Sequence, residues 1–137
     1  MKAGVGRRLS AFFVAGLAAS LAGAAVLGVG SVLSSETYVG SAFQIVAGLV
    51  LTIALFLPFV FVVGGIVAAA VVAMVPVRAG PLPLFFAAAV SGALSAFFVM
   101  SLILGPLAIM FLVGASSGLA AALVWWRMVR AREFVNA

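Results

Sequence analysis

The stretch "GRRLSAFFVAGLAASLAGAAVLGVG", residues 6–30, decides the fold class of this chain. Two arginines precede a long apolar run, and residues 9–33 carry no charge. As a helix, that uncharged run would measure about 37 Å at roughly 1.5 Å per residue. The apolar core of a secretory signal has only about 7–15 residues, whereas the hydrocarbon core of a bilayer is about 30 Å thick. The stretch therefore predicts a retained, slightly tilted transmembrane span.

The composition of the whole chain agrees with a membrane protein. Of its 137 residues, 68% are hydrophobic and only 7% are charged. A water-soluble domain of this size leaves too much of its chain exposed to hide so much apolar surface. Arginine is used far more often than lysine, alongside abundant alanine, glycine and valine, which favours a bacterial genome. We expect an integral protein of the bacterial inner (cytoplasmic) membrane.

Two further uncharged stretches, residues 42–75 and 82–126, supply the remaining spans. The second is too long for one helix and is expected to break at Gly105-Pro106, because proline lacks the backbone N–H that continues a helix. A kinked helix with a re-entrant segment is the alternative to a turn there. Residues 42–75 suit one span that protrudes from the membrane, tilts or kinks at Pro58. The prediction is a single membrane domain over residues 1–137, with spans at about 9–33, 43–75, 83–103 and 107–126 and a basic tail at 127–137.

Basic side chains flank the apolar runs, and four spans bring all of them to one side of the membrane. This segregation predicts an all-α bundle of four transmembrane helices with both termini cytoplasmic. Their placement is typical of membrane topology and of contact with anionic lipid headgroups, and does not indicate a nucleic-acid partner. The predicted membrane-interface anchors are Arg7, Arg8, Arg78, Trp125, Trp126, Arg127, Arg130 and Arg132.

Small residues recur every four positions in three of the predicted spans. Such stripes let helix backbones approach closely and are typical of helix–helix interfaces in membranes. The second span is bulkier and is expected to face lipid, so the other three should form the core of the bundle. The predicted packing residues are Gly16, Ser20, Ala24 and Gly28 in the first span, Ala88, Gly92 and Ala96 in the third, and Gly114, Gly118 and Ala122 in the fourth.

The serines within the third and fourth spans allow two interpretations. Ser91 and Ser95 are four residues apart and share a helix face, with Ser116 and Ser117 on the next span. They could line a polar path for a small solute or ion. Alternatively, their hydroxyls bond to backbone carbonyls of the same or a neighbouring helix, which is the more common use of serine in membrane helices.

Residue types that carry chemistry are scarce in this sequence. Cysteine, histidine and aspartate do not occur, and the two glutamates, Glu36 and Glu133, fall outside the predicted spans, as does Tyr38. General acid–base catalysis, metal binding and proton-coupled transport rely on such groups. We therefore expect no enzymatic activity, no metal and no cofactor.

These observations favour a non-catalytic membrane protein, an accessory, assembly or structural subunit of a larger membrane complex. Its expected partners are the lipid bilayer with its anionic headgroups, and other membrane protein subunits or further copies of the same chain. One alternative is a small oligomeric transporter or channel for a small solute or ion, with the serines lining the path. A further alternative is a phage-like membrane-perforating protein, for which the basic tail would be suitable.

Overall fold

The computed structural model describes residues 4–34, 42–105 and 107–135 of the chain. All regular secondary structure in these ranges is helical. Four helical segments are long and apolar enough to cross a membrane, and they are Val5–Gly30, Val46–Met74, Pro81–Ile103 and Ile109–Val135. The predicted all-α architecture with four candidate spans is thus confirmed.

The helices follow one another with short connections. The first span is α1, Val5–Ser34. The second consists of α2, a π-helical turn and α3, which cover Ala42–Phe59, Val60–Gly64 and Gly65–Met74. A 3₁₀ turn, Val77–Ala79, leads to α4, Pro81–Leu104, which is the third span. The fourth span consists of α5, a second π-helical turn and α6, which cover Ile109–Trp125, Trp126–Arg130 and Ala131–Val135.

Helices α4 and α5 are separated by a short break at the position that the Gly-Pro pair predicts. Helix α4 ends at Leu104, and Gly105 has a φ of +84°, a conformation that residues with a Cβ rarely adopt. The next helix starts with a bond from the Met110 N–H to the Leu107 carbonyl at 3.0 Å. Pro106 itself lies outside the described residues. The two helices that meet here are each long and apolar enough to cross a membrane, which favours two spans over a re-entrant segment.

The C-terminal segment, predicted as a basic tail at 127–137, is helical in its described part. Helical structure continues through the π-helical turn to Val135. The sequence "WRMVRAREFV" contains neither glycine nor proline, so nothing in it interrupts a helix. The ring of Trp126 also packs against that of Phe134, with centroids 5.6 Å apart, and holds the last turn to the preceding one.

The fourth span is the central element of the bundle. Its α5 segment packs against α4 on one side and α1 on another. The second span completes the bundle at the periphery, where α2 contacts α1 and α3 contacts α4. Because the spans alternate in direction, their arginine-bearing ends meet at one end of the bundle, which we call the basic end. A cluster of buried apolar residues, Val71, Leu84 and Ala122, lies there with Trp125 and Trp126 packed around it.

Candidate functional site

The closest helix contact in the described structure joins α4 and α5 through backbone atoms. A Cβ added to Gly92 would collide with the carbonyl oxygen of Gly114, and one added to Gly114 would collide with that of Gly92. At Gly118 it would collide with the carbonyl oxygen of Ala88. The side chain of Ala96 would lie only 2.6 Å from a Cβ at Gly114. The two stripes of small residues therefore face each other, at a separation that permits Cα–H···O contacts between the backbones.

The stripe predicted on α1 divides between different neighbours. Ser20 and Ala24 are buried, with 0% and 1% of their surface exposed. Gly16 faces the second span, where a Cβ would lie 2.5 Å from the ring of Phe61. No described atom lies within 4 Å of a Cβ built at Gly28. The stripe is thus not one continuous contact surface.

A second stripe on α1, one residue earlier, was not identified from the sequence. Ala11, Ala15 and Ala19 are buried, and a Cβ at Gly23 would lie 2.7 Å from the hydroxyl oxygen of Ser117 on α5. These four residues have the same spacing of four as the predicted stripe. The signal was present in the sequence, but α1 carries small residues on adjacent faces, and periodicity cannot choose between them.

Most of the serine hydroxyls in the spans are used within their own helices. The Oγ of Ser91 donates to the carbonyl of Ala87 at 2.6 Å, that of Ser95 to Gly92 at 3.1 Å, and that of Ser116 to Val113 at 2.9 Å. Ser117 is different, because its Oγ donates to the carbonyl of Ala19 on α1 at 2.9 Å. It therefore forms a hydrogen bond between helices, next to the Gly23 contact.

A half-open cavity of about 480 Å³ lies between α5 and the second span and is flanked by α1 and α4. Three of the predicted lining serines, Ser91, Ser95 and Ser117, contribute to its wall, whereas Ser116 does not. The rest of the wall is almost wholly apolar, and much of it consists of alanine and glycine. Along α5 the wall extends from Val113 to Trp125, which is roughly 18 Å at about 1.5 Å per residue.

The geometry of the second span explains the cavity. Pro58 cannot donate a backbone hydrogen bond, and the helix continues as the π-helical turn Val60–Gly64. The ring of Phe61 then packs against α1, with centroids 5.6 Å from Phe12 and 5.7 Å from Phe13. These rings hold the span against α1, while the small residues on the facing helices do not fill the remaining space.

The cavity is large on the scale of protein packing. Interiors contain few voids larger than a water molecule. Several residues of its wall, among them Ala68 and Ala69, are exposed, so the space is open to the surroundings of the bundle. We therefore expect apolar material to occupy most of the cavity in a membrane.

An ion pair joins the two ends of the chain at the basic end. Arg8 Nη2 lies 2.8 Å from Glu133 Oε1, and their side chains are 45% and 13% exposed. Exposed pairs of this kind contribute little energy, about 0–1 kcal/mol. The Arg8–Glu133 ion pair nevertheless connects the start of α1 to α6. Arg8 also lines the cavity, so the ion pair lies beside one end of that space.

Arg130, predicted as an interface anchor, is instead buried, with 3% of its surface exposed. Its Nη2 donates to the carbonyl of Val72 at 2.6 Å. In a continuous helix this carbonyl would accept from the residue four positions later, but that residue is Pro76, which has no N–H. Arg130 therefore replaces a missing donor and places a positive charge at the C-terminal end of α3, where the helix dipole favours one.

The other predicted anchors have varied environments. Arg78, Arg127 and Arg132 are exposed, and Arg7 is half-buried. Trp125 contributes to the wall of the cavity, and Trp126 packs on Phe134. Glu36 and Tyr38, the other residues considered for chemistry, lie outside the described residues. Within the described ranges, no group of three or more metal-ligating side chains occurs.

Comparison of the chain with models of protein families, with curated proteins and with solved structures finds no match. The helix interfaces, the cavity and the basic end are therefore the features from which a function has to be inferred. Four helices of spanning length and apolar composition indicate a membrane protein.

Proposed function

We propose that the chain is a non-catalytic integral membrane protein that acts by association, as an accessory, assembly or structural subunit of a larger membrane complex. The observation that supports this proposal is how most of the serine hydroxyls inside the bundle are used. The hydroxyls of Ser20, Ser91, Ser95, Ser116 and Ser117 all donate to backbone carbonyls. Glu133 contacts Arg8. The arrangement suits a packing role better than a catalytic one.

The outer face of α2 is where we propose that a partner binds. The small-residue stripes of α4 and α5 are used against each other, so they are not free for a second protein. Phe43, Leu51 and Leu55 on α2 are 80%, 62% and 64% exposed, fractions similar to those of the outward-facing side chains of α4. Large exposed apolar side chains on a peripheral span must be covered by lipid or by another membrane protein.

We further propose that the protein resides in a bacterial inner membrane with both termini cytoplasmic. The basic end supports this orientation, because Arg8, Arg78 and Arg127 lie at chain positions that the alternating spans bring to one side. Positive charge in short flanking segments favours the cytoplasmic side. The same residues would attract anionic headgroups, by about 1 kcal/mol for each exposed basic residue near the surface.

Site-specific photo-crosslinking in the native membrane tests the association role. A photoreactive phenylalanine at Leu51 or Leu55 should give one discrete crosslinked protein partner. The matched control is the same residue at Leu119 on α5, which is 44% exposed on a different span. Crosslinking from α2 alone would support the proposed docking face. If neither α2 position yields a protein adduct, the accessory role is wrong.

A small oligomeric transporter is the second candidate, and one observation favours it. Ser91, Ser95 and Ser117 all contribute to the wall of the central cavity. If the cavity were a solute path, the purified protein in liposomes should show saturable flux, and replacing Ser91 and Ser95 with valine should abolish it. Absence of flux would favour the accessory role. No described feature specifically supports membrane perforation, since the basic segment is helical and packed into the bundle.

A further inference from the structure

We propose that the central cavity binds one acyl chain of an anionic membrane lipid, whose headgroup lies beside Arg8 at the basic end. This site is independent of the accessory role, which concerns the outer surface of α2. Three properties of the cavity support the proposal: its shape, the chemistry of its wall and the charge at one end.

The shape fits a hydrocarbon chain. The cavity follows the helix axes for roughly 18 Å along α5, from Trp125 to Val113, at about 1.5 Å per residue. Its volume of about 480 Å³ falls within the roughly 300–1,000 Å³ typical of small-molecule sites. An elongated space that starts at the basic end and runs into the bundle matches a lipid tail that enters from the headgroup region.

The wall suits hydrocarbon and disfavours a polar solute. Alanine, glycine, valine and phenylalanine from all four spans form most of it. The serines in the wall already donate their hydroxyl protons to carbonyls. A hydrated ion or sugar would lose its hydration without gaining donors from these hydroxyls, whereas an acyl chain loses nothing there.

Charge selects the headgroup. Among the described residues that line the cavity, Arg8 is the only charged one. Its contact with Glu133 uses Nη2, and a guanidinium has five N–H donors in a planar fork. The remaining donors are available to a phosphate oxygen, the type of partner that arginine binds with two parallel hydrogen bonds. An anionic phospholipid is therefore preferred over a zwitterionic one.

Tryptophan quenching by brominated lipids tests this site in the intact protein. Replacing Trp126 with phenylalanine leaves Trp125, which contributes to the cavity wall, as the sole tryptophan. The protein is placed in phosphatidylcholine vesicles that contain increasing fractions of phosphatidylglycerol brominated on its acyl chains. We expect quenching of Trp125 to saturate at a fraction of brominated phosphatidylglycerol roughly fivefold lower than the fraction of brominated phosphatidylcholine that is needed.

Two neighbouring positions on α3 supply a matched pair of variants. Ala68 and Ala70 are both exposed, but only Ala68 contributes to the cavity wall. In the Trp126→Phe background, Ala68→Phe should fill the cavity and remove the lipid preference, and Ala70→Phe should retain it. Equal quenching by brominated phosphatidylglycerol and brominated phosphatidylcholine in the Trp126→Phe protein would overturn the proposal. A preference for the anionic lipid that survives Ala68→Phe would overturn it as well.

A second pair of variants tests the headgroup and keeps the result interpretable if Ala68→Phe misfolds. Arg8→Gln should remove the preference for the anionic lipid, while Arg7→Gln, next to it in the chain and outside the cavity wall, should retain most of it. Glu133→Gln should leave the preference intact, because it frees Arg8 without removing it. An unchanged preference in Arg8→Gln would contradict the assignment of the headgroup site.

Discussion

The hairpin of α4 and α5 and the second span show two ways in which helices of this chain meet. In the hairpin, backbone atoms of Gly92, Gly114 and Gly118 on facing helices are in direct contact. The second span meets the bundle through the rings of Phe12, Phe13 and Phe61 and leaves a cavity of about 480 Å³ beside it. Both regions are strongly apolar, so hydrophobicity does not distinguish them.

Side-chain size on the facing surfaces explains the difference. Lipid is as apolar as leucine, so membrane helices gain little from burying apolar area and depend on close van der Waals contact. Glycine and alanine on both faces permit that contact in the hairpin. On the second span, phenylalanines at the contact and Pro58 within the helix keep its backbone away from α5. The hairpin should therefore tolerate larger side chains at its contact poorly, and the second span should tolerate them well.

The largest expected effect is on the hairpin. Gly114→Leu would force α4 and α5 apart, and we expect it to lower the free energy of unfolding by roughly 3 kcal/mol through overpacking. Gly48→Leu on the second span is the control, because no described atom lies within 4 Å of a Cβ there. Unfolding in detergent, followed by circular dichroism, measures both. Equal stability of the two variants would refute the contrast between the regions.

The next effect concerns the polar attachment of the second span. Arg130→Met removes the donor to the Val72 carbonyl and should cost about 1.5–3 kcal/mol, as expected for a hydrogen bond to a charged group. Arg127→Met, at an exposed arginine three residues earlier, should change the unfolding free energy by less than about 0.5 kcal/mol. If the two variants unfold alike, the Arg130 contact does not hold the end of α3.

The smallest effect separates hydrogen bonds between helices from those within one. Ser117→Ala removes the bond to Ala19 on α1 and should cost about 0.6 kcal/mol, the average for interhelical bonds in membranes. Ser116→Ala removes only a bond within α5 and should be close to neutral. The same unfolding assay compares them. If Ser116→Ala lowers the unfolding free energy more than Ser117→Ala does, the hydrogen bond between helices is not the stronger of the two.

Much of the architecture could be predicted because it depends on local composition. The uncharged runs gave the spans, and Gly105-Pro106 gave the turn between α4 and α5. The contact of Arg130 with Val72 also has a sequence signal, since Pro76 lies four residues after Val72 and leaves its carbonyl without a donor. That signal lies in the pattern of backbone donors along the helix and not in the periodicity of the side chains.

The rest depends on how the spans are placed in three dimensions. The spacing of four fits both Gly16–Gly28 and Ala11–Gly23 on α1, and only the position of Ser117 on α5 selects the second stripe at that contact. The cavity depends on the second span packing against α1 and α4, with Phe61 at the contact, which no local pattern specifies. Sequence periodicity indicates which helix faces consist of small residues, but it does not indicate which of these faces pack against each other.

The claim on which everything else depends is that four antiparallel helices cross a bilayer with the basic end cytoplasmic. The chain contains no cysteine, so single introduced cysteines can be labelled without background in intact cells. Leu107, Arg78 and Arg127 are all exposed and suit the test. We expect an impermeant thiol reagent to label Leu107→Cys from outside, and to label Arg78→Cys and Arg127→Cys only after the membrane is opened. Labelling of Arg127→Cys from outside, in cells where Arg78→Cys stays protected, would contradict the four-span bundle.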